Sequence, residues 1–152
     1  MKNIKKIKIY FLFLSVIILF IDQLTKYIVE INYNEILNKY YIFFSVNYVK
    51  NYGAAFNLFS GSRIFLSIVS VVFTFLFFQL IIKDKIAHKY NIFAYSSVLG
   101  GCLGNGIDRV AKGYVVDFID LNFINFPVFN IADCFISVGF FLILYRLVID
   151  KK

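Results

Sequence analysis

His88 is the only histidine of this 152-residue chain, Cys102 and Cys134 are its only cysteines, and aspartates interrupt otherwise apolar sequence at 22, 108, 117, 120 and 133. These residue types limit the chemistry. A cysteine hydrolase needs a thiolate beside an imidazole. A zinc site needs several His or Cys ligands. A serine–lysine pair would take Ser45 or Ser60 with Lys50, although no spacing supports it. Two carboxylates converging in a dry, shaped site can activate water directly. Their repulsion raises one pKa so that the pair shares a proton. One acid is then the general base toward water while the other polarises a scissile carbonyl. Which chemistry is open depends on which residues the elements bring to one side.

The elements are those of a membrane protein. Hydrophobic residues make up 61% of the chain, with 20 Phe and one Pro, and the mean hydropathy is +0.77. Soluble chains have roughly 45–50% apolar residues, so the solvent for this one is lipid. Spanning the hydrocarbon takes about 20 mostly apolar residues. Stretches at about 7–29, 64–82, 90–107 and 131–149 qualify, the third being weaker and rich in small residues. The expected fold is an all-α membrane protein, one domain over 1–152, with four transmembrane helices. The run "YYIFFSVNYV" in the first connection has strand composition, which predicts a small β-sheet platform there. Lysines precede the first span as in a signal peptide, but no cleavage site follows and the span is expected to be retained.

The net charge of +7 gathers at span ends, where topology and anionic lipid account for it better than nucleic acid does. Lys2, Lys5, Lys6 and Lys8, the link bases Lys83, Lys85 and Lys89, and Arg146, Lys151 and Lys152 fall on one side. The termini are therefore expected in the cytoplasm and both long connections outside. His88 then lies on the wrong side for an outer site, which removes the Cys–His and histidine–metal readings. The cysteines read as small apolar residues.

Each outer acid also has a structural explanation. Asp22 and Lys26, four apart, have the spacing of an intrahelical ion pair. Asp108 adjoins Arg109, which suggests mutual neutralisation. Asp117 and Asp120 in "GYVVDFID" would share a helix face but take opposite faces of a strand. Asp133 fits a capping box with Asn130 as N-cap, where the helix dipole favours a carboxylate. Spacing alone leaves structural and chemical roles open for Asp117 and Asp133, though they are the pair best placed for carboxylate chemistry. Gly100 and Gly104 form a small-xxx-small pair for close helix packing.

In order along nearly the whole chain, "DQLTK" (22–26), "NYGAAF" (51–56), "GNGIDR" (104–109), "VVDF" (115–118) and "FNIAD" (129–133) resemble the motifs of lipoprotein signal peptidases, the bacterial type II signal peptidases. The resemblance implies a four-helix intramembrane aspartyl protease of the bacterial inner membrane that cleaves prolipoproteins just before a lipid-modified cysteine. It implies Asp117 and Asp133 as the catalytic dyad. Asn51, Gly53, Asn105, Asp108, Arg109 and Asn130 would support the site or contact substrate, and Asp22 and Lys26 would be structural. No metal, cofactor or nucleic acid is expected; lipid-modified prolipoproteins and membrane lipid are the expected partners, for a monomer. Cys134 stands where Ser or Thr is common, Cys102 where Ala is usual, and Gly106 replaces a bulkier residue, which would loosen the helix end carrying Arg109. The alternative is a small transporter or assembly factor whose outer acids bind a cation or proton, although no internal repeat favours it.

Overall fold

The computed structural model describes residues 2–36, 39–53, 59, 61–83 and 89–149. Ser60, Lys85, His88, Lys151, Lys152 and the Ala54, Ala55 and Phe56 of the second motif lie outside them. In chain order the elements are α1 (Lys2–Ile31), the short α2 (Tyr33–Ile36), β1 (Lys39–Tyr40), β2 (Phe44–Asn51), α3 (Arg63–Lys83), α4 (Lys89–Ala111), β3 (Val115–Leu121) and α5 (Ile131–Ile149).

Four long helices occupy the four expected stretches. Among the described residues, Lys8–Ile31 and Ile131–Ile149 are long and apolar enough to cross a membrane, and Arg63–Gln79 is a shorter apolar run. The weakness of the third stretch follows from its place: α4 packs against α1, α3 and α5 together. A helix screened on three sides needs small residues for close approach rather than large apolar ones for lipid. Gly100 faces the Ile18 side chain of α1, and a Cβ on Gly139 of α5 would stand 2.6 Å from the Ala94 carbonyl.

α1 is patterned inside out. Phe11, Ser15, Ile18, Asp22, Lys26 and Val29 recur at three- and four-residue steps and are buried, while Phe13, Val16, Phe20, Leu24 and Tyr27 are exposed. That arrangement suits a helix with an apolar solvent and polar groups turned inward.

The sheet departs from the sequence expectation. Its order is β1-β2-β3, all antiparallel, so the platform uses both long connections rather than the first alone. β3 lacks an alternating pattern because Val115, Val116, Asp117 and Phe118 are all buried. Val116 and Phe118 pack with Val29 of α1, joining the sheet to the helices. Phe129 then pairs with Ile119, which fixes the segment entering α5 beside β3.

Candidate active site

Asp133 is positioned by the start of α5. The Asp133 backbone N–H donates to Asn130 Oδ1 at 3.0 Å, and the Asn130 N–H donates back to Asp133 Oδ2 at 3.2 Å. This is a reciprocal capping box, with Asp in place of the usual Glu. The next free amide, on Ala132, donates to Asp22 Oδ1 of α1 at 2.9 Å. The box occupies Oδ2, and the Asn105 side-chain amide donates to Oδ1 at 2.8 Å.

Asp117 is held by β3. Strand alternation separates it from Asp120, whose carboxylate accepts from Asn47 at 2.8 Å. Asp117 accepts from Asn51 at 2.8 Å and from Asn130 at 2.6 Å. It is almost wholly buried, at 2% exposure. Burial, and then the charge of Asp133, push it from 3.8 up to about 6, against the pull of the Asn51 and Asn130 amides.

The two acids are joined through two asparagines. Asn130 Nδ2 donates both to Asp117 and to Asn105 Oδ1, the latter at 3.1 Å, while Asn105 Nδ2 reaches Asp133. Amide orientation here is dictated by Lys26. Its ammonium can only donate, and it donates to Asn105 Oδ1 at 2.9 Å. The Asn105 NH2 must therefore face the carboxylate. Lys26 is itself fixed between Asp22 at 2.8 Å and Asp108 at 3.0 Å, with all three side chains removed from solvent. Gly104 makes room for this group, since a Cβ there would strike the Asp22 carboxylate.

The expected Asp108–Arg109 neutralisation is not the arrangement found. Adjacent residues on a helix do not face each other. Asp108 turns to Lys26 and, at 3.7 Å, to Lys112. Arg109 instead spans the site: Nη2 donates to the Gly53 carbonyl at 3.3 Å, and Nη1 to Asn105 O at 3.4 Å and Ser70 Oγ at 3.5 Å. Its Nε is buried without a hydrogen-bond partner among the described residues. The guanidinium is thus loosely held, within electrostatic reach of both acids. Gly53 N–H donates to Asn51 Oδ1 at 2.9 Å, so the two residues brace one turn. Gly106 remains inside α4, and a Cβ there would meet only Ser70 at 3.7 Å.

Asn51, Asn105, Arg109, Asp117, Asp133 and Cys134 line one cleft of about 870 Å³, walled by β2, β3, the 121–129 segment and α5. A second cavity of about 250 Å³ reaches Asp133 and Arg109 from the α3 side, past Cys102, Leu66 and Phe73. Both cysteines are free. Ser45 and Lys50, on one strand five residues apart, are separated by about 16 Å and do not form a pair.

Several polar residues that frame the site escaped the sequence reading. Gln23 donates to the Gly104 carbonyl at 3.1 Å. Glu30 at the end of α1 binds Lys112 at 2.7 Å, Tyr114 at 3.1 Å and Tyr48 at 3.2 Å, clamping α1 to the sheet. Apart from a contact of Gln23 with Asp22, these partners are 18 or more residues away, and no local spacing indicates them.

A family model described as signal peptidase (SPase) II matches residues 14–149. The chain is 46% identical over 122 residues to the lipoprotein signal peptidase of Trichormus variabilis, covering 79% of this chain and 77% of that protein. It is 37% identical over 146 residues to that of Enterococcus faecalis, covering 95% and 90% respectively. A structure titled as a bacterial membrane enzyme solved in meso at 2.3 Å superposes with a TM-score of 0.85 at 34% identity, over 93% of this chain and 89% of the other. A second, at 1.9 Å, gives 0.74 at 33% identity over 90% and 91%.

Proposed function

Since this chain belongs to the signal peptidase II family and is a membrane protease of that kind, we propose that it removes signal peptides from diacylglyceryl-modified prolipoproteins, cleaving before the lipidated cysteine with Asp117 and Asp133 as its paired acids. The observation that carries this reading is the Asn105–Asn130 bridge, which ties both carboxylates into one hydrogen-bonded unit at a single cleft.

Asp117, pushed up to about 6, is the partner that holds the shared proton and donates it toward the scissile carbonyl oxygen. Asp133 is the general base: it takes a proton from water, whose oxygen attacks the carbonyl carbon. Asp133 returns its proton to the leaving nitrogen as the C–N bond breaks, and Asp117 takes its proton back from the collapsing gem-diol, leaving a carboxylic acid on the signal peptide and an amine on the cysteine, which ionise to carboxylate and ammonium. Arg109, with donors to spare, is suited to hold the substrate backbone. Asn51, Asn105 and Asn130 orient the acids, and Gly53 and Asp108 brace that shell. Asp22 and Lys26 set the Asn105 amide from beneath.

α1, α3, α4 and α5 are read as the four spans. The lysine distribution puts both termini in the cytoplasm and the sheet and cleft on the outer face of the inner membrane. A monomer contains every residue of the site. Purified Asp117→Asn and Asp133→Asn proteins should insert normally and fail to cleave a lipidated precursor peptide. Near-normal cleavage by either would end the dyad assignment. Retained binding of a cation or proton by wild-type protein that cleaves nothing would favour the transporter reading instead.

A further inference from the structure

Ionic side chains of alternating sign run along the seam between α1 and α4. Asp22, Lys26 and Glu30 follow at four-residue steps on α1, and Asp108 and Lys112 stand at the same step on and just past α4. That spacing puts each set on one helix face. Lys26 lies 2.8 Å from Asp22 and 3.0 Å from Asp108, while Lys112 lies 3.7 Å from Asp108 and 2.7 Å from Glu30. The series begins in the dry interior with Asp22, Lys26 and Asp108. It ends at a pair, Lys112 and Glu30, whose side chains are 31% and 29% exposed. The inner three members set the Asn105 amide and brace the site; the outer two have no part in that arrangement.

The outer pair sits where α4 turns into β3. The Lys112 and Gly113 N–H groups both donate to the Asp108 carbonyl, at 2.8 and 3.2 Å, and Gly113 takes a left-handed φ of 83°. This is the usual end of a helix at glycine. Beyond the turn, the Val116 N–H donates to Asp108 Oδ2 at 3.4 Å, and Asp117 is the next residue. Asp108 therefore holds the turn from both sides. Glu30 holds it from outside. Its Oε2 accepts from Lys112 before the glycine, and its Oε1 accepts from Tyr114 after it, at 3.1 Å, and from Tyr48 of β2 at 3.2 Å. The Lys50 ammonium, also on β2, stands over the Tyr114 ring at 5.1 Å. One carboxylate thus ties α1, β2 and both ends of the turn together, three residues before Asp117. A partly exposed ion pair adds little to global stability. What this one fixes is the direction in which the chain leaves α4. We propose that Glu30 and Lys112 are positioning residues for the reaction, acting through Asp108 and the α4–β3 turn to place the Asp117 carboxylate against Asp133. The inference rests on the reading of Asp117 and Asp133 as the paired acids.

Full-length Glu30→Ala, Lys112→Met and the double variant, with Lys112→Arg as the conservative control, would be assayed on a lipidated precursor peptide well below their melting temperatures. Each neutral variant should lower kcat by about ten- to a hundredfold, the effect of a small misplacement of a reacting group, and leave KM near the wild-type value. The double variant should be no worse than either single, because the two residues act as one unit. Lys112→Arg should recover most of the rate. Amide hydrogen exchange reads the clamp without cleavage: the segment 112–121 should lose protection in the neutral variants while α5 keeps its own. Wild-type kcat in either single variant, a rise in KM alone, or a loss of rate matched by the unfolded fraction would overturn the inference. Unchanged exchange over 112–121 would overturn it too. Normal cleavage by Asp117→Asn would instead remove the dyad reading, and with it the group that the clamp positions, whatever the exchange shows.

Discussion

Replacing Asp117 by Asn should stabilise the protein at neutral pH as it abolishes cleavage. The carboxyl is raised from 3.8 to about 6 in the fold. A group raised in this way contributes stability below its unfolded value, and that stability is lost as pH rises through the folded one. At about 1.36 kcal/mol per pH unit, an ionised Asp117 costs the native state about 3 kcal/mol above pH 6. Asn removes that charge but offers one acceptor oxygen where two amide donors, Asn51 and Asn130, now converge. The lost hydrogen bond costs about 1–1.5 kcal/mol. The net gain of about 1.5–2 kcal/mol should raise the melting temperature by about 3–8 °C for a chain of this length. Near pH 4 the wild-type carboxyl is largely protonated, so the advantage should vanish or reverse. Unfolding can be followed in detergent micelles with a thiol-reactive dye, because Cys102 and Cys134 are free and partly buried. A variant that melts below wild type by the same margin at neutral and acid pH would refute the reasoning, and with it the assignment of the shared proton to Asp117.

If Asp117 donates that proton, kcat/KM should fall as pH rises through about 6, and a profile rising through that pH would reverse the acid and base roles. Lys26→Met leaves Asp22 and Asp108 facing each other without the buried cation between them. It should cost about 3–5 kcal/mol in thermal unfolding, and the freed Asn105 amide should lower kcat more than it raises KM. Gly104→Ala should be disruptive because its Cβ meets the Asp22 carboxylate, whereas Gly106→Ala should be tolerated or gain up to about 1 kcal/mol of helix propensity. Melting curves of the two variants side by side decide this.

What the sequence discloses is local. The Asn130–Asp133 capping box and the Asp22–Lys26 pair depend on three- and four-residue spacings, and both are present in the structure. The four helices follow from runs of apolar residues in the same way. Contacts between distant segments have no such signature. β3 looked ambiguous because burial of four successive residues erases the alternation by which a strand is recognised. Adjacency in sequence pairs Asp108 with Arg109, whereas its partner Lys26 lies 82 residues earlier on another helix. The third stretch is weak in hydropathy because α4 has other helices around it and needs few large apolar residues.

The bond from Ala132 N–H to Asp22 Oδ1 spans 110 residues, which has a bearing on biogenesis. Asp22 enters the membrane with the first helix made, and its last hydrogen-bond donor arrives with the last. Until α5 is made, the first helix carries a carboxylate whose buried setting is incomplete. A chain stopped short of residue 132 lacks that donor, so Asp22 Oδ1 would be without this backbone hydrogen bond. The same bond sets the start of α5 and couples the first long helix to the last.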